Sequence, residues 1–138
     1  MMSTEAAPLH QARIENGIIF MEFTHSPTVE EILELENEAA KLVVNNGNKV
    51  LPAIMQFINQ GDLEYIHATH LGRFVNTEIF NHVSTFILVD TTVYGAELTR
   101  IANDLFFNNL LHSRKTLAEA LEVAESFKHE DRPMFEQS

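Results

Sequence analysis

The sequence contains no cysteine. Disulfides, thiolate catalysis and zinc–cysteine sites are thereby excluded. Cations are scarce as well: 9 Lys and Arg stand against 20 Asp and Glu, a net charge of −11. Such a surface repels phosphate backbones and anionic lipid, so neither nucleic-acid binding nor membrane insertion is expected. The charge serves solubility, or it suits a basic protein partner. The 5 glycines are too few and too scattered to form a phosphate-cradling loop. Gly-x-Ser-x-Gly and His-Glu-x-x-His are both missing. No apolar run approaches the roughly 20 residues that span a bilayer. The opening Met1-Met2-Ser3-Thr4-Glu5-Ala6-Ala7-Pro8 has neither a basic start nor an apolar core. It reads as a disordered leader over residues 1–10 rather than a secretory signal, and a cytoplasmic location is expected.

What is present points to one domain. Of the 138 residues, 45% are apolar, and a chain near this length buries roughly two-thirds of its unfolded surface. The organising stretch is Thr85-Phe86-Ile87-Leu88-Val89-Asp90. Its unbroken apolar run suits a strand covered on both faces, the inner strand of a mixed sheet.

The remaining elements follow in chain order. Asn16-Gly17 between two strand-like runs is a hairpin signal, because both residues tolerate positive φ. Thr28-Val29-Glu30-Glu31 is a capping box. It opens a helix with Ile32, Leu35, Ala39, Leu42 and Val43 inward and Glu34, Glu36 and Glu38 outward, closed by a left-handed Gly47. A strand is predicted over Ala53 to Ile58, with Pro52 at its beginning or at an edge, then a loop at Asn59-Gln60-Gly61-Asp62. A helix follows over Leu63 to Val75, with a stripe of Leu63, Ile66, His70 and Phe74. After a turn at residues 76–81 comes the strand Ser84 to Asp90. Thr91-Thr92 cap a helix from Val93 to about Asn108, with Leu98, Ile101, Ala102, Leu105 and Phe106 inward. Leu110 to Lys115 fits either strand or helix. Thr116-Leu117-Ala118-Glu119 is a second capping box, opening a last helix with Leu117, Ala120, Leu121, Ala124 and Phe127 inward. The predicted domain thus spans residues 11–130, with a flexible tail over 131–138.

A hairpin followed by alternating helices and strands gives an α/β fold, a mixed sheet of four or five strands with about four helices. This order resembles the SpoIIAA-like fold of the sulfate-transporter and anti-sigma-antagonist (STAS) domains, and of small bacterial STAS/SEC14-like proteins. Three stretches carry the likeness: Pro52-Ala53-Ile54-Met55, Phe86-Ile87-Leu88-Val89 with Leu98-Thr99-Arg100-Ile101-Ala102-Asn103, and Thr116-Leu117-Ala118-Glu119-Ala120-Leu121. Anti-sigma antagonists carry Asp-Ser-Ser-Gly-Leu-Gly after the third strand, with one serine phosphorylated by a partner kinase. The nearest string here is Ile66-His67-Ala68-Thr69-His70-Leu71-Gly72. Leu71 and Gly72 match, Thr69 replaces a serine, and His67 and His70 replace the acidic residue and the glycine. The resemblance implies regulation through protein contacts, with Thr69, His67 and His70 the candidate switch or interaction residues.

Other candidate sites are sparse. His67 and His70 stand at i and i+3, with Glu64 three residues earlier, but no zinc signature flanks them, so no metal is expected. Asp90 ends the inner strand and suits a turn cap with Thr91 and Thr92. His25, His82 and His112 are scattered, so neither catalysis nor a cofactor is expected. Phe74, Phe80, Phe106 and Phe107 could line an apolar pocket. Two functions follow. The first is a non-enzymatic domain acting on a protein partner or on itself as a homodimer. The alternative is a binder of an apolar small molecule or lipid, which calls for a cavity of a few hundred Å³.

Overall fold

The computed structural model describes residues 10–57 and 70–136. Residues 1–9 of the predicted leader over 1–10, the predicted loop 59–62, residues 63–69 of the predicted helix over 63–75 with His67 and Thr69, and residues 58 and 137–138 lie outside the described residues.

The described chain forms a five-stranded sheet in the order β1-β2-β3-β4-β5. Strands β1 (His10–Glu15) and β2 (Ile18–Phe23) pair antiparallel through the predicted turn, where Asn16 and Gly17 have φ of 52° and 75°. Strands β3 (Leu51–Gln56), β4 (Val83–Val89) and β5 (Leu111–Arg114) then add in parallel. Leu110 to Lys115 is therefore a strand, at one edge. Its first residue is fixed by Asn103, whose side-chain amide donates to the Leu111 carbonyl at 2.8 Å and accepts from the Leu111 N–H at 3.0 Å.

Because the chain adds strands in one direction, right-handed crossovers place every connecting helix on the same face. Helix α1 (Val29–Asn45), the short α2 (Leu71–Val75), a 3-10 turn (Glu78–Asn81) and α3 (Val93–Ala102) all contribute to one apolar cluster on that face. The opposite face receives α4 (Leu117–Ser126), whose Ala120 and Ala124 sit on Ile18, Phe20, Ile54, Ile87 and Val89. Alanine lets the helix approach the sheet closely. Near the hairpin the cover on this face is charged: the Arg13 guanidinium lies 4.9 Å from the Phe20 ring centre and pairs with Glu22 at 2.8 Å. Strand β4 is inner, and all its residues but Leu88 are buried. Its two hydroxyls are satisfied: Thr85 donates to the Leu110 carbonyl at 2.6 Å and Ser84 to that of Phe127 at 3.3 Å. Among the described residues no helix is long and apolar enough to cross a membrane.

Five details differ from the sequence reading, each for a physical reason. Strand β3 begins at Leu51, not Ala53, and Pro52 stands at its beginning as the second residue. The register with β4 steps from Leu51↔Val83 to Ala53↔Phe86, so β4 spends one residue more than β3 where proline cannot donate. Leu105 and Phe106 point outward, 64% and 41% exposed. After Ala102 the helix widens into a π-turn (Asn103–Phe107), closed by Asn108 N–H to Asn103 C=O at 3.0 Å. The changed period turns Phe107 inward in their place. Leu117, the first residue of α4, is 36% exposed. Its capping threonine accepts from the Glu119 N–H, but the Glu119 carboxylate takes the Thr116 hydroxyl, whereas Thr28 and Glu31 form the full box. Finally, Glu36 faces the core. Residues 131–138, read as tail, include a 3-10 turn (Met134–Glu136) with Met134 buried in the main cluster.

Asp90 is buried at the end of β4 and accepts from the Thr92 hydroxyl at 2.5 Å and from the Gly95 N–H at 2.9 Å. Its turn-capping place is the predicted one, with Thr92 rather than Thr91 as partner. A Cβ at Gly95 would lie 2.9 Å from both Cβ and Oδ2 of Asp90. Gly95→Ala is therefore expected to cost about 1–3 kcal/mol, since neither β4 nor the first turn of α3 can withdraw. Urea titration checks this; a variant as stable as the wild type would show that the turn yields freely.

Candidate functional site

The residue that stands apart is Glu36. It is 2% exposed, whereas Glu34 and Glu38, the other acids expected on the outer face, are exposed. The placement follows from helical spacing. Ile32, Leu35, Glu36, Ala39, Ala40 and Val43 form the buried stripe of α1, and Glu36 lies one turn after Ile32 and two turns before Val43.

The Glu36 side chain lines a cavity of about 60 Å³ between the sheet and the helices of the first face. Phe74, Phe80, Phe86 and Phe107 line it too, as do Met55 and Leu98. The rings are close: Phe80 lies 5.1 Å from Phe86 and 4.9 Å from Phe107, centre to centre. Phe135 from the C-terminal turn stacks on Phe107 at 5.5 Å. Of the four phenylalanines predicted to line a pocket, Phe74, Phe80 and Phe107 do so. Phe106 does not: the π-turn leaves it on the surface.

Among the described residues the partner of Glu36 is Thr77, whose Oγ1 lies 3.4 Å from Oε1. The same hydroxyl donates to the Phe74 carbonyl at 3.1 Å. A hydroxyl has one proton. That proton is shared between the Phe74 carbonyl and the Glu36 carboxyl, with the longer contact on Glu36. Burial pushes the Glu36 carboxyl well above its ordinary value of 4.5, and the hydrogen bond from Thr77 opposes this. The apolar setting thus favours the neutral form of Glu36. The nearby cation on α2, Arg73, is engaged elsewhere: its Nη2 donates to both carboxylate oxygens of Glu30 at 2.8 and 3.0 Å, in solvent.

The other candidates do not converge on this site. His70 is half-buried at the start of α2. His25 pairs with Glu31 at 2.9 Å, and His82 sits 3.5 Å from Glu78. His112 on β5 is half-buried with its ring edge on Phe127, and burial, then the charge of Arg114, lowers its pKa. Among the described residues no three His, Asp or Glu side chains could hold a metal ion.

A second locus lies at the C-terminal ends of the parallel strands. The Asp90 N–H donates to the Arg114 carbonyl at 2.9 Å, tying the ends of β4 and β5 together. From these joined ends the chain leads to exposed apolar side chains: Val93, 76% exposed, and Tyr94 on one side, Leu117 on the other. Sequence periodicity could not flag Leu117, because its spacing to Ala120, Leu121 and Ala124 puts it on the inward stripe, and its exposure comes from its place as the first residue of α4.

Sequence and structure together define an α/β domain with a single mixed sheet. Set against protein-family models, curated proteins and solved structures, the chain matches none.

Proposed function

We propose that the chain is a SpoIIAA-like module of the STAS regulatory type. In this reading it carries out no reaction of its own and acts by contact with another protein chain, in the first place a second copy of itself. The observation that carries the reading is the apolar group Val93, Tyr94 and Leu117, held out by neighbouring strand ends. Large apolar side chains exposed near adjoining strand ends suit a contact with another chain. Support also comes from the strand order and from the hairpin that opens the sheet, the pattern on which the resemblance rests. The segment that would bear Thr69 follows β3, whose C-terminal end lies on the same side of the sheet as those of β4 and β5. A phosphate on Thr69 would add nearly two negative charges and repel an acidic partner.

The test is the mass in solution. The chain weighs 15.7 kDa. The wild type is expected near twice that mass at about 100 µM by light scattering, because mass action favours the dimer there. Val93→Glu with Leu117→Glu is expected to return the mass to that of one chain that is still folded by circular dichroism, its melting temperature lower by no more than the loss of the dimer accounts for. A single-chain mass for the wild type at that concentration counts against the reading.

A further inference from the structure

We propose that Asn46 is a site of spontaneous deamidation, at which the side-chain amide becomes a carboxylate and the end of α1 loosens. This does not rest on the protein-contact reading.

Asn-Gly occurs twice in the sequence, at residues 16–17 and 46–47. In this dipeptide a backbone nitrogen can reach the preceding side-chain amide with little hindrance, because glycine has no side chain. The two copies are chemically alike, so they react alike in an unfolded chain. The fold separates them.

The reaction closes a five-membered ring from the glycine nitrogen to the asparagine Cγ. The ring contains the asparagine Cα–C bond, so it fixes ψ there. At Asn16 that torsion belongs to the hairpin turn. Asn16 and Gly17 hold φ of 52° and 75°, and the strands pair from Glu15↔Ile18 to His10↔Phe23. The turn sets the register of those pairs, so β1 and β2 must part before the ring can form.

Asn46 is held by less. It follows Asn45, the last residue of α1, and both Asn46 and Gly47 are exposed. Gly47 has φ +96°, and nothing lies within 4 Å of where its Cβ would stand. The N–H groups of Asn46 and Asn48 both donate to the Val43 carbonyl, at 3.2 and 2.8 Å. Among the described residues the Gly47 N–H donates to no backbone carbonyl, so the attacking nitrogen has no such bond to break. The Asn46 side chain donates through Nδ2 to the Leu42 carbonyl at 2.8 Å. Releasing it takes only fraying of an exposed helix end, where local opening costs least.

The atoms balance with water alone. The Gly47 nitrogen loses its proton and bonds to Cγ, the bond from Cγ to Nδ2 breaks, and ammonia leaves. Water then opens the ring at one of its two carbonyls, giving aspartate or isoaspartate. Nothing is oxidised or reduced.

The product no longer fits the helix end. A carboxylate has no proton to donate to the Leu42 carbonyl. It also meets the negative end of the helix dipole, and the last turn of α1 holds no basic residue to offset it. Isoaspartate further adds a methylene to the backbone between Val43 and Asn48. The bonds that close α1 are weakened in either case.

The experiment incubates the full-length chain at pH 8, folded in buffer and unfolded in urea, and follows both dipeptides by mass spectrometry of digests. In the folded chain Asn46 is expected to deamidate at least fivefold faster than Asn16. In urea the two rates are expected to agree within twofold. Both fall at pH 6, because the attacking nitrogen must lose its proton. Asn46→Asp reproduces the aspartate product without the reaction. That variant is expected to lower the hydrogen-exchange protection of the Asn48 N–H at least tenfold and to leave the amides of β3 unchanged, which also shows that it folds. Equal rates at the two positions in the folded chain, a faster reaction at Asn16, no reaction at Asn46, a rate ratio that persists in urea, or full protection of Asn48 in Asn46→Asp overturns the proposal.

Discussion

Phe86→Ala is expected to lower the stability of the fold by about 3–5 kcal/mol, a large part of the 5–15 kcal/mol that holds a domain together. Phe86 is buried on the inner strand β4, with Ala53 opposite it on β3 and Leu111 on β5. Its ring meets Phe80 at 5.1 Å and borders the existing cavity. Removing the ring merges its volume with that space. The cost of a cavity grows by about 24 cal/mol per Å³ left unfilled, and here β3 and β5 fix the backbone on both sides so that little can collapse. Phe106→Ala, at the exposed bend of the π-turn, is expected within about 0.5 kcal/mol of wild type. Equilibrium unfolding in urea separates the two: the midpoint should fall for Phe86→Ala at unchanged slope and stay put for Phe106→Ala. Similar losses at both positions would show that the apolar face of this sheet is not where the core lies.

The second large effect is one of pH. The folded state holds the Glu36 proton more tightly than the unfolded chain does, since burial raises the carboxyl above 4.5. Below that value both states are protonated and the residue costs nothing through ionisation. As pH rises from 4.5 through the raised folded value, the unfolded state gains from ionising while the folded state does not, and stability is lost. The slope reaches about 1.4 kcal/mol per pH unit for one proton. Glu31 works in the opposite sense: the Thr28 N–H holds its carboxyl below the usual range, so its contribution is present above that range and lost in acid. Glu36→Gln keeps the shape and removes the proton. The difference in stability between variant and wild type is expected to stay flat below pH 4.5 and then to grow in favour of the variant with rising pH. Unfolding curves for both proteins from pH 4 to pH 8 measure it. A difference that does not change with pH would place the wild-type carboxyl in water.

Much of this fold is legible in the sequence because the signals are local. Asn16-Gly17 can turn a hairpin by itself, Thr28 and Glu31 cap a helix with atoms three residues apart, and the run Phe86 to Val89 needs no partner to announce burial. The features that escape depend on something outside the local pattern. The outward turn of Leu105 and Phe106 comes from a π-turn that Asn103 and Asn108 close, and no apolar spacing encodes that change of period. Strand β3 starts at Leu51, ahead of Pro52, and β4 takes one residue more there. The candidate site was hidden differently. Glu36 sits at the correct spacing for burial, between Ile32 and Val43, yet an acidic residue among Glu34 and Glu38 reads as solvated. Spacing was the better guide there, because the helix fixes where a side chain points whatever its chemistry. Phe74, Phe80 and Phe107 were legible as apolar residues near one another, but only the folded chain shows a carboxyl among them.

The most direct measurement is the titration of the Glu36 side-chain carboxyl itself, followed by its 13C resonance in the intact chain. The expected midpoint lies well above 4.5, because the carboxyl is buried. A midpoint at or below 4.5 would contradict the burial of Glu36 among the apolar side chains of this face.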